Sequence, residues 1–455
     1  MANVLLKAST SLASFVYGLF MLLVYIGTAR NRFWDLSKKW SGLSHQILTL
    51  RNGFKFHYVC NELPNTSGVT KPLVIFIHGF PDSWAVWRNI LPSNSLQRSA
   101  TIVAIDLPGY GGSDSLDKYT ATNVLEALTE FIITIRAQYK VDTDSGARQQ
   151  KTIIVAHDWG CVLSMRLAAE APELADRFIL TNGPLVHHYI SNMERIVSSS
   201  FKMIKSSLRS PVRSRSTLFK AIKALAPVIR QVVLSGYIFV MQLPLAYVRY
   251  LGSGGNFFFL KTIHKGSYGH TPYSAQDAAE CMASSIGPSA EECRTQTEQG
   301  DEYPLALTKY RSIANFEHMA RYYREGLASA TWHKSVQTIA DLHSISSGMG
   351  LGRVASGAGL FNNGPKGALK AWATVLWGKN DLALHPQLCL DGMSDYLVAN
   401  SQVIELTHSG HFTPLEWDSA VALEKTIEWA VGNEKEDVGD VVQECYPDAI
   451  VKVCK

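Results

Sequence analysis

The sequence predicts an α/β protein: a mostly parallel sheet flanked by helices and interrupted by one large helical insertion. Three observations carry this. Short, near-continuous apolar runs recur at Leu73–Ile77, Ile102–Ile105 and 152–156, as in strands buried on both faces. Amphipathic helical stretches alternate with them, notably Thr120–Gln138. Finally, strand-like runs at Phe178–Leu180 and Ala373–Trp377 are separated by almost two hundred residues of helical pattern.

Composition sets outer limits. The chain has 455 residues, 46% of them hydrophobic and 18% charged, so it can bury an ample core and is not globally disordered. A formal charge of +4 is too small to imply nucleic-acid binding. Seven scattered cysteines without a CxxC pair argue against a disulfide framework or zinc site and fit a reducing compartment.

Residues 1–40 form the first unit. No charged residue lies between Lys7 and Arg30, and as a helix those 22 positions span about 33 Å, enough for a bilayer core. Gly27-Thr28-Ala29 resembles a signal-peptidase site, but the apolar run is longer than a signal core. Arg30, Arg32, Lys38 and Lys39 follow it, which predicts a single-pass N-terminal transmembrane helix with the body facing the cytosol, as in an endoplasmic-reticulum protein. The sequon Asn65-Thr66-Ser67 would be useful only in the lumen and points the other way.

Residues 41–184 hold the first half of the sheet. Ile47–Leu50 and Phe54–Cys60 read as a hairpin around Arg51-Asn52-Gly53. Residues 185–369 form a helical cap inserted after the sixth strand. Arg195, Lys202, Lys205, Arg209, Arg213, Arg215, Lys220, Lys223 and Arg230 at its start face only Glu194. Leu218, Ile222, Leu225, Ile229 and Val232 keep helical spacing, with a bend expected at Pro227. Two readings stand side by side: a solvated lid helix, or a contact with anionic lipid. Ser344–Gly367, rich in Gly and Ser, reads as the loop back to the sheet. Residues 370–433 complete the core with Val403–Leu406 and a helix over Ser419–Val431, and the charged tail 434–455 has no clear periodicity.

The chemistry is centred on Ala156-His157-Asp158-Trp159-Gly160. An apolar strand precedes it and a helix over Val162, Met165 and Ala169 follows, stopped by Pro172. Small residues two positions either side of Asp158 suit a sharp strand-to-helix turn that exposes a nucleophile. A carboxylate is already ionised near neutral pH, and the following helix N-terminus favours its charge. Such a group can displace a leaving group from an alkyl carbon, forming a covalent ester, so epoxides or alkyl halides suit it better than peptides. The plain alternative is that Asp158 only caps the helix.

Other segments supply what that chemistry needs. His78-Gly79-Phe80-Pro81 directly follows the Leu73–Ile77 strand, where the N–H of Phe80 can join that of Trp159 in an oxyanion hole. His78 and Pro81 are expected to line the substrate site. Asp106-Leu107-Pro108-Gly109-Tyr110-Gly111-Gly112-Ser113 lacks a Walker lysine and the Rossmann spacing, so it reads as scaffolding. An acid and a base should follow the nucleophile. Asp381, in Trp377-Gly378-Lys379-Asn380-Asp381, is the acid, with Asp391 and Asp395 as alternatives in a predicted helix. His411, in His408-Ser409-Gly410-His411-Phe412, is the base, and His408 is placed at the strand end.

Over about residues 45–430 these motifs (HGFP, DLPGYGGSD, AHDWG, WGKND and HSGHF) resemble the epoxide hydrolases of the α/β-hydrolase fold. The Asp-nucleophile superfamily to which they belong also contains haloalkane and haloacetate dehalogenases. The resemblance implies an eight-stranded α/β-hydrolase sheet, no cofactor and no metal. It also implies two cap tyrosines that hold the epoxide oxygen. Tyr237 lies in Tyr237-Ile238-Phe239-Val240-Met241-Gln242-Leu243-Pro244, which departs from the family's segment by Met241 in place of Phe. Tyr323 is in the second such position of Tyr322-Tyr323-Arg324-Glu325, with Tyr322 as fallback. The expected reaction converts a lipophilic epoxide and water to a vicinal diol. A dehalogenase with the same triad, or a non-catalytic ligand receptor, are the alternatives. Lipid is expected as a partner through the N-terminal helix and the basic cap segment.

Overall fold

The computed structural model describes residues 26–64, 71–142, 150–209, 215–266, 273–309, 313–348 and 364–455. The apolar segment expected to span a membrane lies mostly outside these residues, as does the sequon at Asn65. Among the described residues, no helix is long and apolar enough to cross a membrane. Residues 26–34 are helical. This short helix is fastened to the body: Trp34 Nε1 donates to Ala283 O at 2.9 Å, Tyr303 Oη donates to Trp34 O at 2.8 Å, and Arg32 pairs with Glu280.

The strands are β1 (Ser44–Thr49), β2 (Lys55–Cys60), β3 (Leu73–Ile77), β4 (Thr101–Ile105), β5 (Thr152–His157), β6 (Arg177–Thr181), β7 (Trp372–Gly378), β8 (Gln402–Leu406) and β9 (Ile450–Cys454). They form one sheet in the order β1-β2-β4-β3-β5-β6-β7-β8-β9. The centre from β4 to β8 is parallel, whereas β1, β2 and β9 are antiparallel edges.

Alternation in the central strands feeds two cores. Ile75, Ile77, Ile154 and Ala156 pack with Val124, Leu128 and Phe131 of the helix Ala121–Gln138. Val74, Phe76, Ile153 and Val155 pack on the other side with Trp84, Trp87 and Leu423, Ile427 of the helix Trp417–Val431. Continuous apolar runs in the sequence are therefore strands covered on both faces.

From β3 the chain steps outward to β4 and then returns to the other side of β3 as β5. Open α/β sheets bind ligands at the carboxyl ends of strands flanking such a reversal. Ile77 pairs with Ala156 in register, so the loops after β3 and β5 emerge side by side.

Three expectations need correction. The sheet has nine strands rather than eight. The tail is not featureless: the helix Val438–Cys445 packs on the core through Val438 and Val442, and Ile450–Cys454 pairs with β8. A mostly exposed edge strand has no buried side to impose a period-two pattern, so composition hid it. Finally, the helix Val336–Gly348 occupies the start of the stretch read as a return loop, and residues 349–363 lie outside the described residues. The cap runs between β6 and β7 and includes the helices Val186–Arg209, Arg215–Leu234, Gly236–Met241, Leu245–Gly266, Ala275–Ile286 and Ile313–Arg321, with Pro227 inside the second.

Candidate active site

Asp158 sits between β5 and the helix Trp159–Glu170 with φ 52° and ψ −117°. A non-glycine residue at positive φ is held by its surroundings, at a cost on the order of 1–3 kcal/mol. The neighbours show how. A Cβ on Gly160 would collide with the carbonyl oxygen of Ile77, and one on Gly183 would meet Asp158 O at 2.7 Å. The backbones of three strand ends therefore close on the turn. A Cβ on Gly79 would collide with both Asp158 Oδ1 and Trp159 N, so the carboxylate and that amide lie together over Gly79. Asp158 makes no side-chain capping bond to its own helix. Its Oδ1 instead accepts the Phe80 N–H at 2.7 Å.

The other carboxylate oxygen, Oδ2, lies 3.5 Å from His411 Nε2. His411 Nδ1 lies 2.9 Å from Asp381 Oδ2, and Asp381 Oδ1 accepts the N–H groups of Ala383 at 2.7 Å and Leu384 at 2.9 Å. Asp158, His411 and Asp381 are all buried. Burial opposes an imidazolium at His411, but the two flanking carboxylates outweigh it and raise its pKa to about 10. Burial likewise opposes charge on Asp158, yet hydrogen bonding and attraction from His411, with the Phe80 N–H, hold its pKa below the ordinary carboxylate value. The resting pair is thus an ionised carboxylate against a protonated histidine.

Tyr237 and Tyr323 come from different cap segments and meet edge-to-face, ring centroids 5.7 Å apart. Tyr237 stacks on Phe80 at 6.3 Å, and Tyr323 stands edge-on to Trp159 at 5.0 Å. Both tyrosines therefore lie over the two residues whose amides flank the Asp158 carboxylate. Tyr323 Oη is shielded from solvent and has no hydrogen-bond partner of normal geometry among the described residues. Burial, reinforced by the charge of Asp158, raises the pKa of both phenols, keeping them protonated as donors. The assembly combines a carboxylate at a strained turn, two phenols packed on the residues that flank it, and an imidazole held between that carboxylate and a second one. It can open a strained ring and later activate water.

A family profile described as alpha/beta hydrolase fold matches residues 72–212. The crystal structure of the Cif epoxide hydrolase from Acinetobacter nosocomialis superposes with a TM-score of 0.53, covering 90% of this chain and 94% of that one at 15% identity. The chain has the α/β-hydrolase fold. Its sequence is 32% identical to epoxide hydrolase 3 of Mus musculus over 151 residues, 31% of this chain and 36% of that protein. It is 35% identical to epoxide hydrolase 1 of Caenorhabditis elegans over 130 residues, 29% of this chain and 28% of that one. The matched stretches thus span about a third of these relatives' length.

Within this α/β-hydrolase fold, the other residues singled out in the sequence are placed as follows. His78 does not line a substrate site: its Nδ1 faces Gly79 O at 2.9 Å and its Nε2 accepts the Leu107 N–H at 2.9 Å, so both nitrogens are committed to the scaffold. Tyr322, the fallback donor, is buried with its hydroxyl donating to Pro108 O at 2.9 Å. Pro81 is buried and joined to Phe80 by a cis peptide bond. Asp391 and Asp395 are exposed, and His408 is an exposed side chain beside Asp448. Asp106 is scaffold, accepting the Trp84 and Gly112 N–H groups at 2.8 Å each and facing His57 Nδ1 at 2.7 Å.

Two residues of the site escaped the sequence reading. Asn182 donates to Asp381 Oδ2 at 2.8 Å and accepts from Gly378 N at 3.1 Å and Thr413 Oγ1 at 2.6 Å. Buried Glu416 accepts the Gly410 N–H with both oxygens, at 3.0 and 2.8 Å, and so fixes the loop before His411. Asn182-Gly183-Pro184 follows β6 at the carboxyl end of the sheet, a position that marks it as a candidate, but such a triplet reads first as a turn.

Proposed function

We propose that this protein is an epoxide hydrolase that converts a lipophilic epoxide and water to a vicinal diol through an ester on Asp158. The single observation that carries this is the pair Tyr237 and Tyr323 packed against each other and on the rings of Phe80 and Trp159, the two residues whose amides flank the Asp158 carboxylate. Two phenols at one point suit an oxygen that develops charge as a strained ring opens.

Asp158 attacks a ring carbon, the carbon–oxygen bond breaks, and a phenol gives the alkoxide its proton. Alkylation removes the charge of Asp158, and with it both of that residue's contributions to the raised pKa of His411. The imidazolium can then release a proton, restoring the phenol. Neutral His411, oriented by Asp381, takes a proton from water, and the resulting hydroxide attacks the ester carbonyl. The Phe80 and Trp159 amides stabilise the oxyanion, and collapse frees the diol and the Asp158 carboxylate. No step calls for a cofactor or metal. In this scheme the base is withheld until there is an ester for it to hydrolyse.

We also propose that the N-terminal apolar segment anchors the chain in the endoplasmic-reticulum membrane with the catalytic body in the cytosol. The charge asymmetry around residues 8–29 supports this orientation.

The test is His411→Gln with a panel of aryl, alkyl and fatty-acid epoxides, read by intact-mass and peptide spectra. An adduct equal to the substrate mass on Asp158 is expected. Absence of an adduct with every epoxide, together with halide release by the unaltered protein from haloalkanes, would replace this reading with dehalogenation.

A further inference from the structure

The first two cap helices turn few large apolar side chains inward. In Val186–Arg209 the buried positions are His188, Asn192, Ile196, Ser200 and Ser207. Asn192 donates to Leu388 O at 3.1 Å and Asp391 O at 2.9 Å, and His188 Nε2 lies 2.8 Å from the same Asp391 O. In Arg215–Leu234 the buried positions are Ala221, Pro227 and Gln231. Gln231 donates to Ala383 O at 2.9 Å and accepts the His385 N–H at 2.6 Å. The inner face of the pair is thus hydrogen-bonded to the loop that carries Asp381.

The outer face is apolar and regular. Ile190, Val197, Phe201 and Leu208 recur at intervals of seven, four and seven, all exposed, with Phe201 at 68% and Leu208 at 71%. On the second helix Phe219, Ile222, Ile229 and Val233 recur at three, seven and four, with Phe219 at 72% and Val233 at 74%. At 100° per residue each set falls on one stripe. The Phe219 stripe lies opposite the inward line through Ala221 and Gln231. Such outward stripes are far larger than the isolated apolar residues of an ordinary surface. Leu218, Ile222, Leu225, Ile229 and Val232 keep helical spacing in the sequence, but spacing alone does not distinguish an inward face from an outward one.

Charge says what covers these stripes. Each helix carries four Lys or Arg residues, and Glu194 is the only acid between them. Lys205 and Lys223 are exposed beside the stripes, and Lys202 and Lys220 are exposed farther round the same helices. A second copy of the chain would bring two such basic faces together and be repelled. An anionic bilayer satisfies both features at once, with lipid phosphates for the lysines and acyl chains for Phe201, Leu208, Phe219 and Val233.

We propose that Val186–Arg209 and Arg215–Leu234 form an interfacial docking surface that lies in the headgroup layer of an anionic membrane. The chain leaves this surface directly into the helix Gly236–Met241, whose Tyr237 packs on Phe80 and Tyr323 and whose Phe239 is exposed. A lipophilic ligand leaving the bilayer therefore meets the cap near one of the two phenols. The docking surface does not depend on the chemistry proposed above.

The test uses the full chain in vesicles, with Cys445 and Cys454 replaced by Ser and a nitroxide attached at Phe201→Cys, Phe219→Cys or, as a control, Glu444→Cys. In phosphatidylcholine with phosphatidylserine, labels at 201 and 219 should collide with oxygen and be hidden from a water-soluble nickel chelate, while the label at 444 stays in water. In phosphatidylcholine alone, or with Lys202→Glu/Lys205→Glu or Lys220→Glu/Lys223→Glu, the ratio of lipid-buried to water-exposed label should fall about tenfold. The N-terminal segment is common to every sample, so attachment and docking are separated, and circular dichroism with a thermal melt in detergent reports that each variant is folded. Labels in water in both lipids, burial indifferent to lipid charge, or burial with spin–spin broadening that shows a second copy in place of lipid would each overturn the proposal.

Discussion

Asn182 donates its side-chain N–H to Asp381 Oδ2 at 2.8 Å, the same oxygen that faces His411 Nδ1 at 2.9 Å. Its own oxygen accepts from Gly378 N and Thr413 Oγ1, so one side chain ties the ends of β6 and β7 to the histidine loop. Asn182 also has φ 46°, a conformation that Asn tolerates better than most residues.

Asn182→Ala should therefore cost stability and orientation together. Four buried groups lose a partner (Asp381 Oδ2, Gly378 O, Gly378 N and Thr413 Oγ1), for an expected loss on the order of 1–3 kcal/mol read as a fall in thermal midpoint. Asn182→Asp is the sharper probe. It keeps the acceptor but sets a second carboxylate against Asp381, which drives the pKa of one of them up. Single-turnover kinetics should show slower ester hydrolysis, by about tenfold for each 1.4 kcal/mol of lost orientation, with alkylation spared. Equal hydrolysis rates in all three proteins would remove Asn182 from the catalytic arrangement.

The raised pKa of His411 gives a pH prediction with a definite sign. In the free protein both carboxylates hold the His411 pKa up to about 10, and the lowered pKa of Asp158 keeps its carboxylate ionised through neutral and mildly acidic pH. Alkylation should thus be nearly flat from mildly acidic pH upward and should fall only as His411 and the phenols deprotonate. In the ester Asp158 is neutral, so the pKa of His411 drops. Hydrolysis should rise with pH and level off well below pH 10. Rapid-quench measurement of adduct formation and decay between pH 5 and 10 (about the range accessible to the folded protein) separates the two limbs. A decay limb that coincides with a free-enzyme pKa near 10 would contradict the proposed withholding of the base.

Gly79 makes a steric prediction. Its Cβ would have to share space with the Asp158 carboxylate and the Trp159 amide nitrogen, and the latter is backbone that cannot swing away. Gly79→Ala should displace the turn, abolish adduct formation, and destabilise the fold by about 1–3 kcal/mol, the range for overpacking a tight interior. Gly53→Ala is the contrast. Its Cβ meets nothing within 4 Å, and only its φ of +85° is strained, so its smaller stability loss should leave adduct formation intact.

How much was legible follows from which side each residue faces. Central strands such as Leu73–Ile77 are buried on both faces, so their apolar runs read directly as parallel sheet. Asp158 was legible because its turn requires small residues at fixed offsets. His411 and Asp381 were legible by their order along the chain. The edge strand Ile450–Cys454 was not, because its mostly exposed side chains impose no pattern. Nor were Asn182 and Glu416, which act through bonds to loops distant in sequence. His78 misled because a buried histidine that ties two loops together looks, in sequence, like one offered to a ligand.

The adjacent pair Tyr322 and Tyr323 separates fold from function most cleanly. Tyr322 is buried, its hydroxyl donates to Pro108 O, and its ring packs edge-on to Tyr110 at 5.1 Å. Tyr322→Phe should therefore lower stability by about 1 kcal/mol, the typical net value of a hydrogen bond, with diol formation nearly unchanged. Tyr323 is the reverse case. Its hydroxyl is shielded and lacks a partner of normal geometry among the described residues, so its surroundings offset little of its desolvation in the resting state. Tyr323→Phe should leave stability equal or slightly higher while slowing adduct formation by about 100-fold or more, the usual effect of losing one donor to a developing oxyanion. Tyr237→Phe should slow the same step. The double variant should fall further than either, because the remaining phenol in each single variant still holds the oxygen. Thermal unfolding and adduct-formation rates on the four proteins give both readouts. If Tyr322→Phe proves the inactive variant and Tyr323→Phe the unstable one, the two side chains have been assigned to the wrong sides of the cap.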